Sequence, residues 1–109
     1  MDNLQQKKEN FSYGNVFILT HSFFSDVIRI GCTPEDPQKY VKHLSEKTPG
    51  DYTLVFSQLC SNPCKVKKQI QKHLNAQEFT KDFYQVPAEL AERLVKRETL
   101  VIPTFDSIK

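Results

Sequence analysis

The segment VIRIGCTPEDP, residues 27–37, joins a β-strand to a helix, and the rest of the chain is organised around it. Its β-branched start favours a strand, since such side chains pack well on a pleated sheet. Gly31 ends the apolar run. Asp36 then has the position of a helix N-cap, and Pro37 that of the first helical residue, where proline loses no hydrogen bond. The segment therefore predicts a strand, a tight exit and a helix start.

Two further strands are predicted on either side of this segment. The apolar run VFIL at residues 16–19 indicates a first buried strand, and residues 20–26 read as a broad connector to the second. In the second strand, Ile28 and Ile30 face one side and Arg29 the other. Residues 52–59, YTLVFSQL, are rich in strand-forming residues and predict a third strand.

Three helices are predicted from apolar residues at helical spacing. The first follows Pro37, the second follows a repeated cap-and-proline signature at Asn62–Pro63, and the last begins at Pro87. Their expected core-facing residues are Tyr40, Val41 and Leu44; Val66, Ile70 and Leu74; and Leu90, Ala91, Leu94 and Val95. With a short extended piece at residues 82–86, this order predicts an α/β (α+β) fold, a small antiparallel sheet with helices packed against it.

Length and composition narrow the class of protein. The chain has 109 residues, which suits one domain, and a net charge of +2, which alone does not indicate nucleic-acid binding. We divide it into a flexible segment 1–12, a domain 13–98 and a tail 99–109. No apolar run is long enough for a membrane span, so no membrane partner is expected.

The three cysteines, Cys32, Cys60 and Cys64, predict reduced thiols in a cytoplasmic protein. The histidines at 21, 43 and 73 do not complete a zinc site with them. Cys32 lies close to a helix start, where the helix dipole favours a thiolate, but no histidine is placed by sequence as its base. No metal and no cofactor are expected.

Several short pieces in this order resemble the GIY-YIG nuclease superfamily, in its bacteriophage-type DNA-binding domain branch. Members of that branch typically begin Gly-x-Val-Tyr-Val-Leu and continue with Tyr-Lys-Ile-Gly, Thr-x-x-Asp-Pro and an extended Glu-Phe-Phe-x-Val. The matching pieces here are Gly14 with residues 16–19, residues 29–31, Thr33, residues 36–37 and residues 82–86. The likeness spans residues 14–95. It implies a three-stranded antiparallel sheet flanked by helices, and a small domain of this kind suits a phage, a virus or a bacterium.

The resemblance also implies that the family's cleavage chemistry is degenerate here. Active relatives cleave a phosphodiester with one divalent metal, two tyrosines, an arginine and a glutamate. Phe17 and Arg29 stand at the tyrosine positions, and Lys39 or Tyr40 at the arginine position. Lys67 stands at the glutamate position, where an ammonium group repels a metal ion instead of binding it. We therefore expect no catalytic residues and no hydrolysis.

Binding of nucleic acid, most simply DNA, is the function expected to remain. The cations from elements around the former active site would contact phosphates in a salt-dependent way. The candidate residues are Arg29, Lys39, Lys42, His43, Lys65, Lys67, Lys68 and Lys72. Lysines at helical spacing are equally often a solvated face, so both interpretations stay open.

Two other functions remain as alternatives. A protein-interaction or dimerisation module on the same fold would use Phe23 and Phe24, expected at the tip of the first connector, with the apolar residues 100–102. The same two phenylalanines could instead stack on bases. A metal-dependent endonuclease with a rearranged site is the third possibility.

Overall fold

Two long antiparallel strands form the centre of the fold in the computed structural model, which describes residues 12–101 without the side chains of Ser25, Leu100 and Val101. The elements in chain order are β1 (Tyr13–His21), β2 (Phe24–Thr33), α1 (Pro37–Lys47), β3 (Tyr52–Ser61), α2 (Pro63–His73), a 3₁₀ turn (Asn75–Gln77), β4 (Glu78–Thr80), β5 (Phe83–Tyr84) and α3 (Ala88–Val101). The fold class is α+β, as the sequence predicted.

The sheet in this part of the chain has five strands, in the order β3-β1-β2-β5-β4, and all neighbours are antiparallel. The expectation of three strands was wrong. The extra pair lies against β2, where Ile28 pairs with Tyr84 and Arg29 with Phe83. Strands of three and two residues are too short to show an alternating pattern, so the sequence indicated only one extended piece there.

The sheet has an apolar core on each face. On one face, Val16, Ile18, Ile28 and Ile30 are almost fully buried beneath α2 and α3. On the other face, Phe17 and Leu19 of β1 pack with Val41 and Leu44 of α1, and with Tyr52 and Leu54 of β3. The central strand β1 is therefore buried on both sides.

The broad connector predicted between β1 and β2 is instead a two-residue turn. β1 continues to His21 and β2 begins at Phe24, so Phe23 lies in the turn and Phe24 in the strand. The His21 ring fixes this turn: Nδ1 accepts a hydrogen bond from the Phe23 N–H at 3.0 Å, and Nε2–H donates to the Pro49 carbonyl at 3.0 Å. The prediction failed because the His21 side chain closes the hairpin. Its hydrogen bond to Pro49 joins residues that are distant in sequence, so no local turn signal indicated it.

The helix starts were predicted better than their caps. The Asp36 carboxylate accepts a hydrogen bond from the Gln38 N–H at 3.0 Å, which confirms the N-cap of α1. α2 begins at Pro63 as expected, but Asn62 is left-handed (φ 52°) and its side chain makes no cap hydrogen bond. In α3, Ala91 and Val95 are buried, while Leu90, expected in the core, is exposed.

The last helix includes residues 99–101 of the segment that the sequence assigned to a tail, and Thr99 is buried. Residues 1–11 and 102–109 lie outside the described residues. The candidate contact surface at residues 100–102 falls there too, because the side chains of residues 100 and 101 are not described.

Gly31 leaves room for the aromatic ring of Phe17, which lies between the β1–β2 pair and α1. It pairs with Phe17, and a Cβ at this position would lie 2.3 Å from Phe17 Cζ and 2.5 Å from Cε1. These distances are far below van der Waals contact, and the ring is fully buried. Glycine is therefore required here by the space that the ring occupies.

Replacing Gly31 should expose this constraint. We expect Gly31→Ala to lower the free energy of unfolding by about 1–3 kcal/mol, because the buried ring must move or leave its rotamer. Urea denaturation measures the change. Combining Gly31→Ala with Phe17→Leu should give a loss smaller than the sum of the two single losses, since leucine vacates the clashing atoms. Strictly additive losses would contradict the account.

Candidate nucleic-acid interface

A cleft of about 820 Å³ opens where β2 is followed by α1, within the segment of residues 27–37. Residues 29–35 form its floor, α1 and the first half of α2 form its walls, and the β4–β5 turn closes one side. The lining residues beyond the floor are Lys39, Tyr40, His43, Lys47, Cys64, Lys67, Lys68, Gln71 and Asp82. The cleft therefore joins elements that are distant in sequence.

The structure brings most of the predicted cationic residues together in this cleft. Arg29 lies on the floor, Lys39 and His43 on the α1 wall, and Lys67 and Lys68 on the α2 wall. Lys47, which the sequence analysis did not select, joins them from the last turn of α1.

Three of the predicted cations lie elsewhere. Lys42 and Lys65 are exposed on the same two helices but do not line the cleft. Lys72 lines a neighbouring depression of about 430 Å³, which it shares with Lys68. Lys42 and Lys65 therefore lie on solvated helix faces, which is the alternative interpretation that the sequence analysis kept for these lysines.

Arg29 is held by two aromatic rings. Its guanidinium carbon lies 5.7 Å from the centre of the Tyr52 ring and 5.4 Å from that of Phe83, and Nη1 donates to the Tyr52 hydroxyl at 3.4 Å. Such contacts restrict the arginine without neutralising its charge. Arg29 thus presents a positioned cation at the cleft floor.

The position expected to replace a catalytic tyrosine does not reach the cleft. Phe17 is fully buried, and the ring of Tyr40 covers it, with the two centroids 5.1 Å apart at an angle of 49°. Tyr40 itself lines the cleft. A phenol is therefore present at the site, but it comes from α1 and not from β1.

Asp82 is a cleft carboxylate that the sequence analysis also did not select. Its carboxylate lies 3.8 Å from Lys67 Nζ and accepts a hydrogen bond from Gln71 Nε2 at 2.9 Å. The resemblance implies a carboxylate at the position of Lys67 on α2, whereas this one comes from the β4–β5 turn, where Asp82 has a left-handed φ of 68°. An aspartate just before a short strand is a common turn signal, and it could have indicated the tight reversal.

Tyr84 lies close to this group. Burial raises the pKa of the Tyr84 hydroxyl, and the carboxylates of Glu78 and Asp82 raise it further, while a hydrogen bond with Gln71 acts in the opposite direction. The phenol therefore remains protonated at neutral pH and does not act as a base.

The acidic side chains of the cleft are sparse. Glu35 and Asp82 are its two carboxylates, and they come from the connection between β2 and α1 and from the β4–β5 turn. Within residues 12–101, no group of three or more His, Cys, Asp or Glu side chains is arranged to hold a metal ion.

The cysteines fall into two environments. Cys32 and Cys64 are half-buried and line the cleft, whereas Cys60 is buried in the core beneath α2 and α3. Burial raises the pKa of the Cys60 thiol to about 11. Cys60 is thus a core residue and takes no part in the chemistry of the cleft.

Comparison with known proteins gives no relative: no family model, no curated protein and no solved structure matches the chain. Among the described residues, no helix is both long and apolar enough to cross a membrane.

The Cys60 environment predicts a pH dependence of stability. The pKa of about 11 in the folded protein lies above the ordinary thiol value of 9.0, so the neutral thiol is favoured in the folded state. Its contribution is complete below pH 9 and is lost as the pH rises toward 11. We expect Cys60→Ala to flatten the fall in unfolding free energy over this range, measured by urea denaturation. An equally steep fall in this variant would contradict the assignment.

Proposed function

We propose that this protein is a catalytically degenerate GIY-YIG-like domain that binds nucleic acid, most simply DNA, through the cleft between α1 and α2. The observation that carries the proposal is the convergence of Arg29, Lys39, Lys47, Lys67 and Lys68 on one cleft. These five cations come from three elements, and only two carboxylates accompany them. A cationic cleft of this kind fits a polyanion, since each neutralised phosphate releases bound counterions.

In this proposal, Asp82 lowers the affinity of the cleft for phosphate groups. Its carboxylate lies 3.8 Å from the Lys67 ammonium group in the free protein, and about a quarter of each side chain is exposed. A phosphate entering the cleft competes with that carboxylate for the Lys67 ammonium group. The exchange costs little because the Lys67–Asp82 pair is long and the phosphate replaces one negative partner of the ammonium group with another.

Binding without hydrolysis follows from the residues that occupy the former catalytic positions. Lys67 supplies a cation where the resemblance implies a metal-binding carboxylate, and Phe17 is buried without a hydroxyl group. The proposal keeps the expected cytoplasmic location and the phage or viral setting. Cleavage of DNA in magnesium or manganese by folded protein would favour the rearranged endonuclease instead, with Asp82 as its first candidate ligand.

Charge-reversal variants on the two helices distinguish binding in the cleft from binding to the solvated helix faces. We expect Lys68→Glu and Lys39→Glu each to weaken binding of labelled duplex DNA by about tenfold at low salt and to reduce the salt slope by about one. Lys65→Glu and Lys42→Glu are the matched controls, because they make the same change on the same helices outside the cleft. Fluorescence anisotropy measures all four. Equal losses in both pairs would show that only net charge matters.

Removing the internal competitor should have the opposite effect. We expect Asp82→Asn to strengthen duplex binding several-fold, because Lys67 is freed and one negative charge is lost. Asparagine tolerates the left-handed φ and keeps a hydrogen-bond acceptor for Gln71, so the turn is retained. Glu78→Gln, the same neutralisation outside this cleft, is the control. Unchanged or weaker binding by Asp82→Asn would contradict the role assigned to Asp82.

A further inference from the structure

Three phenylalanines form an exposed patch at the end of the sheet where β1 turns into β2. Phe23 in the turn is 65% exposed, Phe24 at the start of β2 is 41% exposed, and Phe79 on β4 is 53% exposed. Large apolar rings at such exposure are unusual, since burial of one ring contributes a few kcal/mol to folding. We call these three residues the phenylalanine patch.

The patch is rigidly supported from below. The buried ring of His21 lies 5.1 Å from the Phe23 ring and 5.3 Å from that of Phe24. Hydrogen bonds hold His21 to the Phe23 N–H and to the Pro49 carbonyl. Ser22 adds two bonds to Asp51, through its backbone N–H and its hydroxyl oxygen, each at 2.9 Å. The turn that presents Phe23 is therefore fixed before any ligand binds.

The ring faces of the patch are not filled by stacking on one another. Phe24 and Phe79 meet at an angle of 61°, with centroids 5.6 Å apart, and His21 meets Phe23 at 67°. These two contacts are edge-to-face, and His21 meets Phe24 at a tilt of 43°, so none of these ring pairs is stacked in parallel. A flat ligand such as a base can therefore stack on the exposed faces.

The patch is connected to the cationic cleft through one row of aromatic contacts. His21 contacts Tyr52 at 4.7 Å, and Tyr52 and Phe83 flank the guanidinium group of Arg29 on the cleft floor. Phe24 and Arg29 lie on the same strand, at most about 17 Å apart by the rise of an extended chain. A few nucleotides of a single strand span that distance.

We propose that the phenylalanine patch stacks unpaired bases, so that the preferred ligand is nucleic acid in which a single-stranded segment leaves a duplex. This inference rests on the proposed function, because the cleft holds the phosphates while the patch receives the bases. Aromatic stacking is tolerant of base identity, as every base has a π-face. The ligand is thus selected by strandedness and not by sequence.

Continuity with Arg29 favours bases over a protein surface as the occupant. A purely apolar partner would cover the three rings without using the cation that adjoins them through Tyr52 and Phe83. An unpaired strand uses both, because its phosphates meet the cleft and its bases meet the rings. The competing possibility is self-association of two copies through the patch, and the experiment must distinguish it from base stacking.

The test compares three labelled DNA probes by fluorescence anisotropy. They are a blunt duplex, the same duplex with a short thymidine overhang, and that overhang with its bases replaced by abasic sites. We expect wild-type protein to bind the overhang about tenfold more tightly than either other probe, since stacking of even one base has this magnitude. The abasic probe keeps the backbone charge, so it isolates the contribution of the bases.

Variants assign the preference to the patch. Phe23→Ala and Phe79→Ala should each remove most of the overhang preference while leaving blunt-duplex affinity unchanged. Tyr13→Ala is the matched control, because Tyr13 is an aromatic residue 58% exposed at the other end of β1. Light scattering on each variant reports the oligomeric state.

The outcomes separate the two proposals. Blunt-duplex binding without any overhang preference would overturn the stacking role and leave the cleft intact. Absence of binding to all three probes would overturn both. An overhang preference that survives in the phenylalanine variants, or a dimer that Phe23→Ala dissociates, would assign the patch to another role.

Discussion

The Phe17 ring packs directly over the backbone of Gly31, its partner on the neighbouring strand, and this contact links the sheet to α1 and to the cleft. It fixes the two central strands in a register that buries a full ring where one strand has no side chain. The same ring supports Tyr40, and so helps to seat α1 against the sheet. Gly31 is also part of the cleft floor, and the position of α1 sets the width of the cleft. Core packing and the candidate site are therefore one arrangement.

The long, periodic elements of this fold could be predicted from the sequence, whereas the short ones could not. Alternation placed Ile28 and Ile30 on one face, and Asp36–Pro37 gave the start of α1, because these signals are local. The hairpin turn depends on His21 reaching Pro49, and β5 depends on pairing with β2, so neither leaves a local pattern. The boundaries of a strand or turn cannot be predicted from local sequence where a contact with a distant residue determines them.

The candidate site shows the same division. Lysines on α1 and α2 could be selected from sequence, but which of them line the cleft depends on the angle at which each helix meets the sheet. Lys68 and Lys65 are three residues apart on α2, yet only Lys68 lines the cleft. Asp82 was missed because the resemblance directed attention to α2. In the structure, the Lys67 cation lies on the helix and the Asp82 carboxylate lies on the facing turn.

Binding of phosphates in the cleft should make the affinity of the wild-type protein for duplex DNA depend on salt concentration. Affinity should fall linearly with the logarithm of salt concentration. The slope should lie between roughly −3 and −5, because five cations line the cleft and each phosphate neutralised contributes about −0.9. A slope near zero, or no measurable binding at low salt by folded protein, would contradict the claim.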